Sequence, residues 1–138
     1  MSLKLEIVTP EKRVFEDTVE SVVLPTESGE IGVLPGHIPL LTVVQPGNLH
    51  VTRAGTNEDL AVDKGFARIM GDTISVLTEA AIHVEEIDVD EVEAAQARAE
   101  EALEQAREQK EIDPAEIEKL EAIVRFSIAQ KLIKKKKL

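Results

Sequence analysis

The sequence predicts a β + α chain, with an N-terminal antiparallel β-sandwich over residues 1–86 followed by a C-terminal antiparallel α-helical hairpin over residues 87–138. Three observations carry this expectation. Apolar side chains recur at every second position in the first part, as in Leu3, Leu5 and Ile7 alternating with Lys4 and Glu6. Turn signals interrupt the chain every eight to twelve residues, with no helical segment between them. Near residue 87 the period changes to a helical one, and alanine and glutamate take over.

The strand candidates follow in chain order. "MSLKLEIVTP" alternates from the start, and "VESVVLP", "LLTVV", "LHVTRA", "LAVDKGFARIM" and "AAIHVE" are short β-branched runs. "DTISVLTE" sets Ile74, Val76 and Thr78 against Ser75, Leu77 and Glu79. Between them lie "ESGE", the Pro-Gly pair at 35 and 36, "PGN", "AGTNED" and "GD". The densest turn chemistry is "GVLPGHIPLLT", residues 32–42, where two prolines and two glycines surround His37. Nothing there resembles a nucleophile or a phosphate cradle, so it reads as backbone architecture.

The helical part has two start signals. Asp88 with Glu91 forms an acidic capping box, and "DPAE" places Asp113 at a cap, Pro114 at the first helical position and Glu116 in the first turn. Val89, Val92, Ala95, Ala99, Ala102, Leu103 and Ala106 share one face of the first helix. Ile117, Leu120, Val124, Ile128 and Leu132 form the expected stripe of the second, with Phe126 and Ile133 on its far side. The short join "EQKEI" makes the helices antiparallel. Opposite charges fall at helical spacing, among them Arg98 with Glu101 and Arg107 with Glu111, consistent with a solvated face.

Composition narrows the function classes. With aromatics at 2% and neither Trp nor Tyr, the core is aliphatic, and three Phe alone argue against an exposed aromatic platform for a sugar or peptide. The absence of cysteine excludes disulfides, thiolate metal sites and cysteine nucleophiles, and fits a reducing compartment. No signal-peptide pattern opens the sequence and no apolar run approaches the roughly 20 residues of a membrane span, so a soluble or peripheral protein is expected. A net charge of −11 argues against nucleic-acid binding. That charge is unevenly placed: residues 122–138 carry six cations, Arg125, Lys131, Lys134, Lys135, Lys136 and Lys137, and no acid. The run reads either as helix-end capping or as a contact for an acidic partner or an anionic membrane.

Catalytic signatures are missing. His37, His50 and His83 are far apart in sequence, and "HVEE" places His83 and Glu85 on one strand face without a ligand set. Neither a P-loop, nor G-x-S-x-G, nor H-E-x-x-H occurs, and no cofactor or metal is expected. A free-standing sandwich that binds a ligand, or a hydrolase with carboxylates paired by folding, remains an alternative.

Taken together, "SGEIGVLPGHIPLLT", "VQPGNLHV", "GFARI", "TISVLTEAA" and "IDVDEVEAAQARAE" resemble, in the right order and over nearly the whole chain, the epsilon subunit of the rotary F-type ATP synthase. The resemblance implies a non-catalytic central-stalk subunit of a proton-translocating complex. The sandwich would be the rotor-binding domain that joins the gamma subunit to the c-ring, and the hairpin the regulatory domain that restrains ATP hydrolysis. By the same resemblance, Glu30 faces the c-ring, His37 lies against gamma, and the basic end meets the catalytic beta and alpha subunits. Membrane association would come only through the complex, on the cytoplasmic face of a bacterial plasma membrane or the stromal side of a thylakoid. Some relatives bind ATP through an I/L-D-x-x-R-A motif; here Ile87 and Asp88 are kept, but Glu91 and Val92 stand where Arg and Ala belong. An anion in place of a phosphate-pairing cation leaves at most a weak nucleotide site, with Arg98 and Arg125 as the remaining candidate cations.

Overall fold

The computed structural model of the chain describes residues 2–109 and 113–137. The chain divides into two compact units, Met1–Glu86 and Ile87–Leu138. The first is all β apart from one 3₁₀ turn, and the second is a pair of helices.

In the first unit, β1 (Leu3–Val8), β2 (Arg13–Val19), β3 (Ser21–Thr26), β4 (Gly29–Val33) and β5 (Leu40–Val44) are followed by β6 (Gly47–Arg53), β7 (Thr56–Val62), β8 (Gly65–Met70), β9 (Thr73–Thr78) and β10 (Ala81–His83). Hydrogen bonding orders them as two five-stranded layers, β10-β7-β6-β3-β4 and β5-β8-β9-β1-β2. The layers are continuous at one corner, where Thr26 pairs with Val44 and the Gln45 amide donates to the Pro25 carbonyl at 2.9 Å. Between them lies an aliphatic core that includes Leu3, Leu5, Ile7, Leu24, Leu49, Leu60, Ile69 and Ile74, each no more than 1% exposed. Period-two alternation puts these side chains on the inner faces, and burial of each contributes about 1.5–3 kcal/mol.

Several details depart from the sequence reading. The sandwich is antiparallel except for one pair: β1 and β9 run parallel, Leu5 beside Ile74 and Ile7 beside Val76. β2 is a strand that the apolar pattern does not mark, because Asp17 sits between buried Phe15 and Val19 at their own parity. "LAVDKGFARIM" is two strands rather than one. It breaks at Asp63 and Lys64, where the buried Thr78 hydroxyl donates toward the carbonyls of Asp63 (2.9 Å), Lys64 (3.2 Å) and Ala80 (3.1 Å). The strand does not continue through "HVEE" either: His83 closes β10, and Val84–Glu86 is a 3₁₀ turn, so His83 and Glu85 do not share a strand face.

In the second unit, α1 (Val89–Arg107) and α2 (Pro114–Lys137) pack together, the last turns of α1 opposite the first turns of α2. Both Asp residues of the start signals cap their helices. The Asp88 carboxylate accepts the amides of Asp90 (3.0 Å) and Glu91 (3.3 Å), and Asp113 accepts the Ala115 amide at 3.0 Å ahead of Pro114. The buried residues of α1, Val92, Ala99 and Leu103, follow the expected face. On α2 the expected stripe is corrected: Ser127, Gln130 and Ile133 are buried, whereas Ile128 (44% exposed) and Leu132 (58%) point outward. The buried Gln130 side-chain amide is satisfied by donating to the Phe126 carbonyl at 3.3 Å. The middle of the join at residues 110–112, the Arg107–Glu111 pair and the side chains of Lys136 and Lys137 lie outside the described residues.

Candidate functional site: a rigid turn and an apolar outer face

The Pro-Gly turn has a definite geometry. Pro35 and Gly36 are the central residues, Gly36 has φ +86°, and the His37 amide donates to the Leu34 carbonyl at 3.1 Å. Proline followed by a positive-φ glycine is the arrangement of a type II turn. The His37 ring Nδ1 donates to the Ile38 carbonyl at 2.6 Å, which fixes the ring against its own backbone. The two large apolar residues flanking this turn, Leu34 (63% exposed) and Ile38 (72%), are therefore held out from the sandwich. A rigid apolar projection binds a partner with little loss of conformational entropy.

The turn leads into β5, and further exposed apolar side chains stand on the outer face of the second layer. Strand register aligns Val43 with Phe66, Phe66 with Leu77, and Leu77 with Val8. All four have the parity opposite to the core, so they form one apolar row across four strands. Phe66 and Leu77 are more than half exposed, as are Leu41 and Met70 on the same face. A cleft of about 600 Å³ lies along this row, lined also by Pro10, Lys64 and Glu79. Contiguous exposed apolar side chains of this kind mark an interaction surface. Among the described residues no group of three or more His, Cys, Asp or Glu is placed to hold a metal ion.

The sequence-derived candidates are distributed as follows. Glu30 is exposed near the start of β4, opposite Pro25. His37 lies beyond the end of that strand, and the run from Glu30 to Val33 alone covers roughly 10 Å, so the two do not form one cluster. Ile87 is buried, while Asp88 is spent as the helix cap. Arg98 is exposed ten positions along α1, a rise of about 15 Å from Asp88. Ile87, Asp88 and Arg98 are thus not gathered around one pocket. Arg125, Lys131, Lys134 and Lys135 all lie on α2; Lys135 is exposed and the others are half-buried. The apolar row was missed in the sequence, although Leu77 falls on the face opposite Ile74 and Val76, and an apolar residue at outward parity is the signal that could have found it.

The chain is similar to known proteins over most of its length. The beta-sandwich domain of the ATP synthase delta/epsilon chain matches residues 2–84. An ATP synthase epsilon chain of Herpetosiphon aurantiacus is 36% identical over 130 residues, 94% of this chain and 96% of the relative. One from Desulfosudis oleivorans is 47% identical over 104 residues, 75% and 78% of the two chains. Among solved structures, a chain of the Euglena gracilis mitochondrial ATP synthase OSCP/F1/c-ring assembly superposes with a TM-score of 0.68 at 21% identity, covering 96% of this chain and 81% of that one. A chain of the Tetrahymena thermophila mitochondrial ATP synthase central stalk and c-ring gives 0.59 at 13% identity, covering 97% of each. The two structural matches support the fold, and the sequence matches extend over sandwich and hairpin alike: the chain belongs to the ATP synthase epsilon chain family.

Proposed function

We propose that this chain is a non-catalytic rotor subunit of a proton-translocating ATP synthase. Its sandwich joins the gamma subunit to the c-ring, and its hairpin restrains ATP hydrolysis by contacting the catalytic beta and alpha subunits. The observation that carries the reading is the set of exposed apolar side chains on the sandwich, Leu34 and Ile38 at the Pro-Gly turn and Leu41, Phe66 and Leu77 on the outer face. A stable small domain does not leave so many large apolar side chains in water without a partner to cover them. Glu30 is assigned to the c-ring contact and His37 to the gamma contact.

The basic residues Arg125, Lys131 and Lys134 to Lys137 are assigned to acidic surface on the catalytic head. Among the described residues, no helix is long and apolar enough to cross a membrane. Attachment to the membrane, on the cytoplasmic face in a bacterium, is assigned to the complex. Purified chain mixed with gamma and c-ring should form a stable ternary complex by size-exclusion chromatography. Failure to bind either partner would overturn the rotor assignment.

A further inference from the structure

We propose that the basic half of α2 is a docking surface for an anionic lipid bilayer, used by the chain while it is free of its partners. This attachment is additional to the one through the complex, and it does not rest on the rotor reading.

Charge on α2 is polarised along the helix: Glu116, Glu118 and Glu121 lie within Pro114–Glu121, whereas residues 122–137 hold six cations and no acid. Within that basic half two large apolar side chains stand in water, Ile128 (44% exposed) and Leu132 (58%). Each is two positions from the buried Gln130, about 200° round the helix, and Lys135 follows Leu132 by three. Ile128, Leu132 and the exposed Lys135 therefore share the face opposite the buried one, with half-buried Lys131 beside them. The hairpin stays closed, because this face already points outward.

The composition of the face favours lipid over protein carboxylates. Five of the six cations are lysine, a point charge on a flexible stem that suits a diffuse layer of headgroup phosphates, whereas paired recognition of carboxylates favours the arginine fork. Lysine stems lie along the acyl boundary while the ammonium groups reach the headgroups, and Ile128 and Leu132 are there to be buried with them. Among the described residues no helix is long and apolar enough to cross a membrane, so α2 would lie on the surface.

The acidic remainder of the chain sets the orientation. With −11 overall and six cations in residues 122–138, the rest carries −17, including Asp90, Glu91 and Glu93 at the start of α1 beside the basic half. At physiological salt, charges more than about 8 Å from the surface are largely screened, while cations at the headgroups are within range. Only the outer face of the basic half can approach an anionic leaflet.

Flotation of the purified full chain with vesicles tests this. Vesicles of phosphatidylcholine with about 40% phosphatidylglycerol should bind it at least about tenfold more tightly than pure phosphatidylcholine, and less tightly as salt is raised. Combining Lys131→Ala with Lys135→Ala should weaken that binding at least about tenfold, and Leu132→Ser about threefold. Lys119→Ala, which removes a cation from the acidic half of the same helix, should change it less than about twofold, and circular dichroism should show all variants folded. Equal binding to both vesicles, or an equal loss in Lys119→Ala, would overturn the proposal. Retention on immobilised polyglutamate as tight as on the anionic vesicles would overturn it in favour of an acidic protein.

Discussion

The backbone of Gly65 passes so close to Leu77 that a Cβ on Gly65 would lie 1.9 Å from the Leu77 carbonyl oxygen and 2.7 Å from Thr78 Cα. Gly65 pairs with Thr78 at the start of β8, next to the Phe66–Leu77 pair of the outer apolar row. The obstacle is backbone on both sides, so no rotamer change relieves it. Gly65→Ala should therefore separate β8 from β9 and cost about 2–3 kcal/mol, read as a lower denaturant midpoint at an unchanged slope. Unaltered stability would mean that the strands are not held this closely.

The outer row is expected to contribute to binding rather than to folding. Replacing both Phe66 and Leu77 by Ser removes apolar groups that are already more than half exposed. Stability of the isolated protein should stay within about 1 kcal/mol, while complex formation with gamma should weaken by at least about tenfold. Ile69→Ala, in the core at 0% exposure, should do the reverse at the level of the fold and cost about 3 kcal/mol. Wild-type assembly of the double serine variant would show that the partner sits elsewhere.

Glu30 and His37 occupy an edge strand and a turn, where substitution leaves the core untouched. Glu30→Lys should impair proton-coupled ATP synthesis through the c-ring contact, and His37→Trp should impair association with gamma. Both should melt within a few degrees of wild type, as substitutions away from the core generally do. Wild-type coupling in both variants would remove these assignments.

The two units differ in how much of them the sequence discloses. β1 and β9 read directly from alternation because both carry core residues on one face only. β2 does not, since Asp17 interrupts it; that carboxylate is held by Arg53, whose guanidinium also bonds Glu58 at 2.8 Å and lies 5.2 Å from the Phe15 ring centroid. A partner 36 residues away leaves no local trace.

On α2, Ile117, Leu120, Ile123, Val124, Ile128, Leu132 and Ile133 spread over much of the circumference. Periodicity therefore cannot select the buried face; tertiary packing does, and it chooses Ser127, Gln130 and Ile133. The Pro-Gly turn was visible because its chemistry is local. The apolar row was not, because it exists only once four strands are placed in register.

Nucleotide binding should be weak or absent. Asp88 is engaged as a cap, Glu91 stands where the ATP-binding motif of some relatives has a cation, and Arg98 is about 15 Å along the helix. Titration calorimetry of the isolated protein with ATP should show no binding tighter than millimolar, since polyphosphate recognition depends on charge-assisted pairing. Micromolar affinity in the wild-type chain would contradict this reading.

Whether the hairpin acts on hydrolysis is measured most directly by the ATPase rate of the reconstituted complex carrying either the full chain or residues 1–87. The truncated chain should assemble and raise the rate several-fold. Replacing Lys134 to Lys137 by Ala in the full chain should reproduce part of that rise, more strongly at low ionic strength, because exposed ion pairs are screened by salt. An unchanged rate after removal of residues 88–138, in a complex that still couples to proton flow, would contradict the regulatory role assigned to the hairpin.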